Sequence, residues 1–240
     1  MKLRGYHIRG CDVISDMNLE FRDASAGILD VVMLFGGNGS GKSFILGSIA
    51  RAWSSSILTG GSVELPYVSD LLRIDYELSN EIIGVHIRRG RLDKSSALAK
   101  GAEVIVGDKP RVRNGIVYYS SNRGIISRST IRGGFGLCDS VCNIFPIIYD
   151  LHMRDVRDSI IMVDDWDMGL DEDARKGFYN HLVRHSSGRN NQVILSSSSI
   201  PSSWVPFQSI VKLSGRMDPI QSSMGFLGKV NDFEGISFGI

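Results

Sequence analysis

The sequence has few cysteines, no excess of one charge and no long apolar run. Its three cysteines are too few and too scattered for a disulfide framework, which favours a reducing cytoplasm. The 27 Lys and Arg nearly balance the 26 Asp and Glu, so overall charge gives no argument for nucleic-acid binding. No stretch of about 18 apolar residues is present, and the polar N-terminal sequence MKLRGYHIRG is not a signal peptide. We therefore expect a cytoplasmic protein without membrane insertion.

Two of the cysteines, Cys138 and Cys142, stand four positions apart and would share one face of a helix. A structural zinc site needs further ligands, and none lies near them in the sequence. We interpret both as small core residues. The length of 240 residues suffices for an α/β domain with a substantial core, and we predict that 1–240 form a single domain.

What the sequence does contain is a glycine-rich phosphate-binding motif. Residues 36–43 read GGNGSGKS and fit G-x-x-x-x-G-K-[ST]. Glycines let backbone N–H groups approach phosphate oxygens, Lys42 supplies a charge for the β- and γ-phosphates, and the Ser43 hydroxyl is a Mg²⁺ ligand. The apolar run Leu29–Phe35 predicts a strand before the loop, and Ser43–Trp53 predicts a helix whose N-terminus points at the phosphates. A glycine turn without a ligand is the alternative. The predicted nucleotide contacts are Gly37, Asn38, Gly39, Ser40, Gly41, Lys42, Ser43 and Phe44.

The rest of the chain reads as strands and helices in alternation. The segments Leu72–Leu78 and Ile83–Arg89 alternate in hydropathy around a Ser79-Asn80 turn and predict an antiparallel hairpin. Residues 90–114 read as a polar connection. Further strands are predicted at 1–8, 13–21, 115–120, 159–163, 192–195 and 210–213, and helices at 135–153 and 171–185. The predicted fold class is α/β, with a central, mostly parallel sheet, an antiparallel β region at 68–120, a helical lobe at 121–157 and a C-terminal extension at 214–240.

A second part of the site is predicted directly after the strand at 159–163. A P-loop needs a carboxylate at the end of a neighbouring strand to hold the Mg²⁺ shell, and Asp164 occupies that position. Asp165 follows it, where a carboxylate can polarise the attacking water. The predicted catalytic residues are therefore Asp165 and Lys42, and the predicted metal ligands are Ser43 and Asp164. The alternative is that both aspartates merely end a strand and cap a turn.

Together these motifs resemble the heads of ABC-type ATPases. Within that family the resemblance is to the SMC-like branch and related ATPases of DNA repair and bacterial defence operons. It spans residues 1–213 and rests on the N-terminal strand pair, GGNGSGKS, the hairpin, Asp164-Asp165 as a Walker B end, and Gly169-Leu170-Asp171 as a D-loop. The resemblance implies a P-loop NTPase fold, ATP and Mg²⁺ as cofactors, and ATP held between two subunits of a homodimer or hetero-oligomer.

The sequence departs from the family at three positions of the composite site. The signature Ser-Gly-Gly reads Arg132-Gly133-Gly134, Asn122 stands near the expected switch glutamine, and Ser198 replaces the expected switch histidine. The resemblance still implies nucleotide contacts for these five residues. Arg132 is either a cation that reaches phosphate or an arginine of a solvated loop. Because Asp165 is also one methylene shorter than the family's glutamate, we expect slow turnover: a displacement of about 1 Å can cost on the order of a hundredfold in rate.

Several functions fit this pattern. The first choice is a slowly hydrolysing ATPase that dimerises around ATP and controls a separate effector protein, since the sequence has no nuclease constellation and no coiled coil. The alternatives are the nucleotide-binding subunit of a membrane transporter and a non-catalytic module stabilised by nucleotide. A P-loop kinase has less support. Basic segments at 86–91, 109–113 and 123–132 leave nucleic-acid binding open.

Overall fold

Two β-sheets enclose the helix that follows the glycine-rich loop. The computed structural model describes residues 1–11, 14–25, 27–57, 68–88, 91–95, 111–120, 139–199, 202–213 and 220–223. The enclosed helix is α1 (Lys42–Ile57). Its Ser48 hydroxyl lies 3.0 Å from the Tyr6 hydroxyl, and its Ile49 carbonyl accepts a hydrogen bond from Tyr76 at 2.9 Å. Both tyrosines belong to the antiparallel sheet, so that sheet fixes one side of α1.

The central sheet is parallel throughout its described strands, as predicted. Its spatial order is β12-β3-β11-β10-β8. Every residue of the two interior strands β10 and β11 is buried, which is the pattern of a sheet covered on both faces. The strands are β3 (Val31–Phe35), β8 (Ile116–Tyr119), β10 (Ile160–Val163), β11 (Gln192–Ser197) and β12 (Ile210–Lys212).

The second sheet is built around the predicted hairpin. Ser79 and Asn80 both have positive φ (52° and 65°), as a tight two-residue turn between twisted strands requires. The order is β13-β2-β1-β4-β5-β6, antiparallel except for the β13–β2 pair. The strands are β1 (Lys2–Cys11), β2 (Met17–Glu20), β4 (Val68–Leu78), β5 (Glu81–Arg88), β6 (Arg91–Ser95) and β13 (Ile220–Ser223).

Some strands of this region differ from the sequence prediction. β6 lies in the interval read as a polar connection, and β13 lies in the unassigned C-terminal extension. The end of the predicted antiparallel interval 68–120 is also different, because β8 pairs parallel to β10, and β7 (Arg111–Arg113) pairs parallel to β9 (Asp155–Arg157). Alternating hydropathy shows that a segment is extended but not the direction of its partner, which tertiary structure decides.

Two further helices cover the outer face of the parallel sheet. The helix α2 (Asp139–Met153) falls within the predicted 135–153, and α3 (Glu172–Ser187) begins one residue later than predicted. It does so because Asp171 is the N-cap, and its side chain accepts a hydrogen bond from the backbone N–H of Ala174 at 2.8 Å. Within the described part of the chain, no helix is long and apolar enough to cross a membrane.

The core is divided by the parallel sheet into two clusters. One lies between the two sheets around α1, where the rings of Trp53 and Tyr76 are 4.8 Å apart. The other lies between the parallel sheet and helices α2 and α3, around Trp166, Phe178 and Tyr179. Burial on both faces fixes the parallel strands firmly, so the loops at their carboxyl ends stand on a rigid support.

Candidate functional site

The glycine-rich loop connects β3 to α1 in a conformation that only glycine tolerates well. Gly39 and Gly41 have φ of +79° and +89°, in the left-handed region. A Cβ atom at Gly41 would collide with the side chain of Ile14, and one at Gly36 would lie 2.5 Å from the carbonyl oxygen of Leu213. The positive φ angles therefore require glycine at positions 39 and 41, and the close contacts leave no room for a side chain at positions 36 and 41.

Lys42 begins α1 and is buried, with its ammonium turned back over the loop. Its Nζ donates hydrogen bonds to the carbonyl oxygens of Gly36 at 2.6 Å and Gly37 at 2.9 Å. Ser43, the next residue, is exposed at the first turn of the helix, and Phe44 is half-buried. The loop thus presents one cation, the N–H groups of a helix start and an exposed hydroxyl at the carboxyl end of β3, which together suit a phosphate chain.

Asp164 lies at the same edge of the sheet, two strands from the loop. It follows β10 directly, is almost fully buried, and accepts a hydrogen bond at Oδ1 from the hydroxyl of Ser196. Ser196 belongs to β11, the strand between β10 and β3. Sequence reasoning did not identify Ser196, because nothing in a run of four serines shows which one faces a carboxylate.

Asp165 occupies a strained turn held by that same serine. Its φ is +44°, and its backbone N–H donates to the Ser196 hydroxyl oxygen at 2.8 Å. A left-handed residue other than glycine costs on the order of 1–3 kcal/mol and persists only where its surroundings impose it. The Ser196 hydroxyl therefore holds both predicted aspartates: it donates to the side chain of Asp164 and accepts from the backbone N–H of Asp165.

Tyr118, on β8, lies beside these carboxylates and was also missed by sequence reasoning. Burial, followed by the negative charges of Asp164 and Asp165, raises the pKa of the Tyr118 phenol to about 12. The phenol is therefore uncharged at neutral pH and can act as a hydrogen-bond donor near the aspartates. Its pKa also reports the charge of the pair.

Ser198 does not occupy the buried position next to the predicted site. It is exposed, whereas its neighbour Ser197 is buried and donates its hydroxyl hydrogen to Asp167 at 2.8 Å. The N–H of Ser199 donates to the Ser197 hydroxyl oxygen at 3.0 Å. The serine run therefore contributes two buried hydroxyls to the turn after β10, and its third serine faces solvent.

Four of the predicted nucleotide contacts, Asn122, Arg132, Gly133 and Gly134, lie outside the described residues, as does Cys138. The others converge. The loop, Lys42, Ser43, Asp164, Asp165 and Ser198 all follow or end strands at the carboxyl edge of the parallel sheet.

The donor set at this edge suits Mg²⁺ in a phosphate complex. Ser43 and Asp164 offer oxygen ligands only, and Mg²⁺ typically takes one or two protein oxygens together with substrate phosphates and water. Within the described ranges, no cluster of three or more His, Cys, Asp or Glu forms a site that would hold a metal by protein ligands alone. Ser43 and Asp164 therefore fit a Mg²⁺ ion that binds as a complex with the phosphates of a nucleotide.

Comparisons with known proteins support this architecture. No protein-family model and no curated protein matches the chain. Among solved structures, it resembles the SMC head domain from Thermotoga maritima, with a TM-score of 0.50 and 16% identity over 83% of this chain and 90% of that one. For an SMC head bound to the C-winged helix domain of ScpA, the TM-score is 0.48 and the sequence identity is 9%, over 88% of this chain and 94% of that one. For a putative ABC transporter (ATP-binding protein) from Pyrococcus furiosus, the TM-score is 0.41 and the sequence identity is 14%, over 87% of this chain and 97% of that one. The similarity shows that the chain has the fold of an SMC head domain, which agrees with the fold that its motifs predicted.

Proposed function

We propose that the protein binds Mg-ATP at the carboxyl edge of its parallel sheet and hydrolyses it slowly. The observation that carries the proposal is the convergence of the loop holding Lys42 with the buried carboxylate Asp164, two strands apart on one edge. A loop that only bridged a strand and a helix would need neither a buried lysine nor a buried aspartate beside it.

The loop binds the triphosphate chain through its backbone. Backbone N–H groups of the loop from Gly37 onward and the positive end of the α1 dipole face the phosphates, apart from the N–H of Ser40, which donates to the carbonyl oxygen of Gly37 at 3.2 Å. The Lys42 ammonium shares its charge between the phosphates and the loop carbonyls. Since the glycine conformations are already in place, little ordering is needed on binding. Phe44 forms part of the first helical turn behind the phosphates.

The two aspartates have separate roles in hydrolysis. Ser43 and Asp164 hold the Mg²⁺ shell, and the ion supplies charge neutralisation at the phosphate oxygens. Asp165 orients the attacking water and accepts its proton, and Ser196 fixes the backbone from which that carboxylate projects. Aspartate is shorter than glutamate, and Ser198 offers a hydroxyl in place of an imidazole, so water is positioned less well and turnover is slow.

A second subunit completes the site in this proposal. By resemblance to ABC-type heads, Arg132, Gly133 and Gly134 of one subunit face the ATP bound by the other, and Asn122 lies near the Mg²⁺ shell. ATP binding then closes a homodimer or hetero-oligomer, and hydrolysis reopens it. The output belongs to a separate effector protein that senses the closed state.

The test is Mg-ATP turnover per protomer over a hundredfold range of protein concentration, with Lys42→Ala as the control. Turnover per protomer that rises with concentration supports a composite site, and the expected value stays well below the roughly 10 s⁻¹ of an ordinary enzyme. Turnover near that value contradicts the slow switch. Turnover equal to that of Lys42→Ala, together with an unchanged melting temperature in Mg-ATP, contradicts nucleotide binding itself.

A further inference from the structure

A basic hollow lies at the opposite edge of the parallel sheet from the glycine-rich loop. It has a volume of about 390 Å³ and sits between the C-terminal ends of α2 and α3. The N–H of Asp158, just before β10, donates to the carbonyl of Arg189 at 3.1 Å, which places the hollow at the amino ends of the strands. We call this site the basic hollow; it is lined by His152, His181, Arg184, His185, Gly188 and Arg189.

Two arginines of the basic hollow have no carboxylate partner in the described part of the chain. The guanidinium of Arg184 donates to the carbonyl oxygen of Asn180 at 3.2 Å, and that of Arg189 contacts His185 Nε2 at 2.5 Å. Two other arginines near the hollow are neutralised, since Arg154 pairs with Asp150 and Arg157 pairs with Asp155, both at 2.7 Å. The wall of the basic hollow therefore carries two guanidinium groups without a paired carboxylate, while Asp155 lies within electrostatic range of Arg189.

The negative helix ends offset only part of the positive charge of these arginines. The C-termini of α2 and α3 each contribute roughly half a negative charge, which attracts basic side chains. Two helix ends together offset about one of the two arginine charges, and the described lining of the basic hollow contains no acidic residue, so its wall stays positive even when every histidine is neutral. A metal cation is disfavoured, because Arg189 already occupies the Nε2 atom of His185 and its charge repels cations.

We propose that the basic hollow binds a tetrahedral oxyanion of the phosphate type, at a site separate from the nucleotide. Guanidinium groups are suited to such ligands, because their parallel N–H donors match two oxygen atoms at once. The ligand is either free phosphate or the phosphoryl group of a small phosphomonoester. The proposal does not depend on the ATPase function.

Histidine protonation couples this binding to pH. Burial first, and then the charge of Arg189, lowers the pKa of His185 to about 4, and burial and Arg184 lower the pKa of His181. The other charged or titratable groups around these rings are Asp150 and His152 of α2, Arg154 directly after that helix, Asp155 and Arg157 of β9, and Asp158 before β10. A bound dianion raises the histidine pKa values, so affinity for it increases as pH falls from 7 towards 5. Each unit of pKa increase corresponds to up to tenfold in affinity.

The test is a titration followed by histidine side-chain NMR signals. The chain has five histidines, and His7 and His86 lie in the antiparallel sheet, where they serve as internal controls. Inorganic phosphate and glycerol 2-phosphate are added at pH 6.5, and potassium chloride at matched ionic strength is the reference. Sulfate, whose charge is constant in this range, is titrated between pH 5 and 7. Repeating the work in Lys42→Ala removes effects transmitted from phosphate at the glycine-rich loop.

The expected result is a saturable shift of the His181 and His185 signals that chloride does not produce. Tighter binding of glycerol 2-phosphate identifies a phosphomonoester, and tighter binding of phosphate identifies the free anion. Arg184→Gln and Arg189→Gln each weaken binding at least tenfold, whereas Lys176→Gln, an exposed cation elsewhere on α3, leaves it unchanged. Arg184 is exposed, so its variant tests the proposal even if Arg189→Gln disturbs the fold. Shifts equal to those in chloride, or equal for all five histidines, would overturn the proposal.

Discussion

Ser197 donates its hydroxyl hydrogen to Asp167 at 2.8 Å, and this bond joins the end of β11 to the turn that follows β10. The same residue accepts a hydrogen bond at its carbonyl oxygen from the N–H of Gly36 at 3.2 Å. One serine therefore links the glycine-rich loop to the segment that carries the aspartates. A displacement of the loop on nucleotide binding has a direct mechanical path to that turn.

Replacing Ser197 by alanine is expected to destabilise the protein. The buried Asp167 carboxylate would lose its hydroxyl donor, and an unsatisfied buried polar group costs about 1–3 kcal/mol. Urea unfolding measures the change, with Ser198→Ala as the control, because Ser198 is the adjacent exposed serine and its loss should stay within about 0.5 kcal/mol. Equal effects of the two substitutions would contradict the assigned bond.

Alanine at Gly41 is expected to disrupt the loop. The new Cβ atom would sit at a φ of +89° and collide with the side chain of Ile14. We therefore expect the free energy of unfolding to fall by at least about 1 kcal/mol and nucleotide binding to be lost. Gly47→Ala is the control, because Gly47 lies within α1 and its Cβ would meet nothing within 4 Å. It should increase stability by up to about 1 kcal/mol. Thermal unfolding with and without Mg-ATP measures both effects, and a stabilising Gly41→Ala would contradict the described loop.

Substitutions at Asp165 are expected to separate turnover from stability. Asp165→Asn removes the proposed base but tolerates positive φ well, so turnover should fall at least about a hundredfold with little change in unfolding free energy. Asp165→Glu should keep or raise turnover, because the carboxylate reaches farther, while it lowers stability at φ +44°. ATPase assays and urea unfolding on the same samples test this. Full activity in Asp165→Asn would exclude the residue as the base.

The phenol of Tyr118 is expected to report the charge of the aspartates. Since Asp164 and Asp165 contribute to raising its pKa to about 12, neutralising Asp164 as Asn should lower that value. The absorbance change of phenolate formation at high pH measures it, with Tyr118→Phe used to assign the transition. Asp30→Asn, a substitution of an exposed aspartate paired with Lys2, serves as the control and should leave the transition in place. An unchanged Tyr118 pKa in Asp164→Asn would contradict an electrostatic interaction between Tyr118 and Asp164.

Acid should destabilise the protein partly through His185. Its pKa is about 4 when folded and near 6.5 when unfolded, so the neutral ring contributes stability above pH 6.5 that is lost as pH falls towards 4. The ring is only partly buried, and solvent screening limits the effect to about 1–2 kcal/mol. Urea unfolding between pH 7 and 4.5 should show a smaller loss for His185→Gln than for the parent protein. His7→Gln, in the other sheet, is the control, and parallel pH profiles for all three proteins would contradict the assignment.

The sequence by itself determined the features that local chemistry fixes. The glycines and Lys42 of residues 36–43 form a contiguous motif whose backbone demands can be read directly, and the apolar run before Asp164 predicts both a buried strand and its end. The hairpin turn at Ser79-Asn80 was predictable for the same reason, since its conformation depends on neighbouring residues only.

Only the tertiary structure decided which groups meet across the strands. Ser196 and Ser197 are chemically identical to Ser198, but the placement of β11 between β3 and β10 directs the first two to Asp164 and Asp167 and leaves the third in solvent. The parallel pairing of β8 likewise depends on a partner distant in sequence. Such contacts follow from strand order, which arises when the whole core is buried at once and leaves no sign in the local sequence.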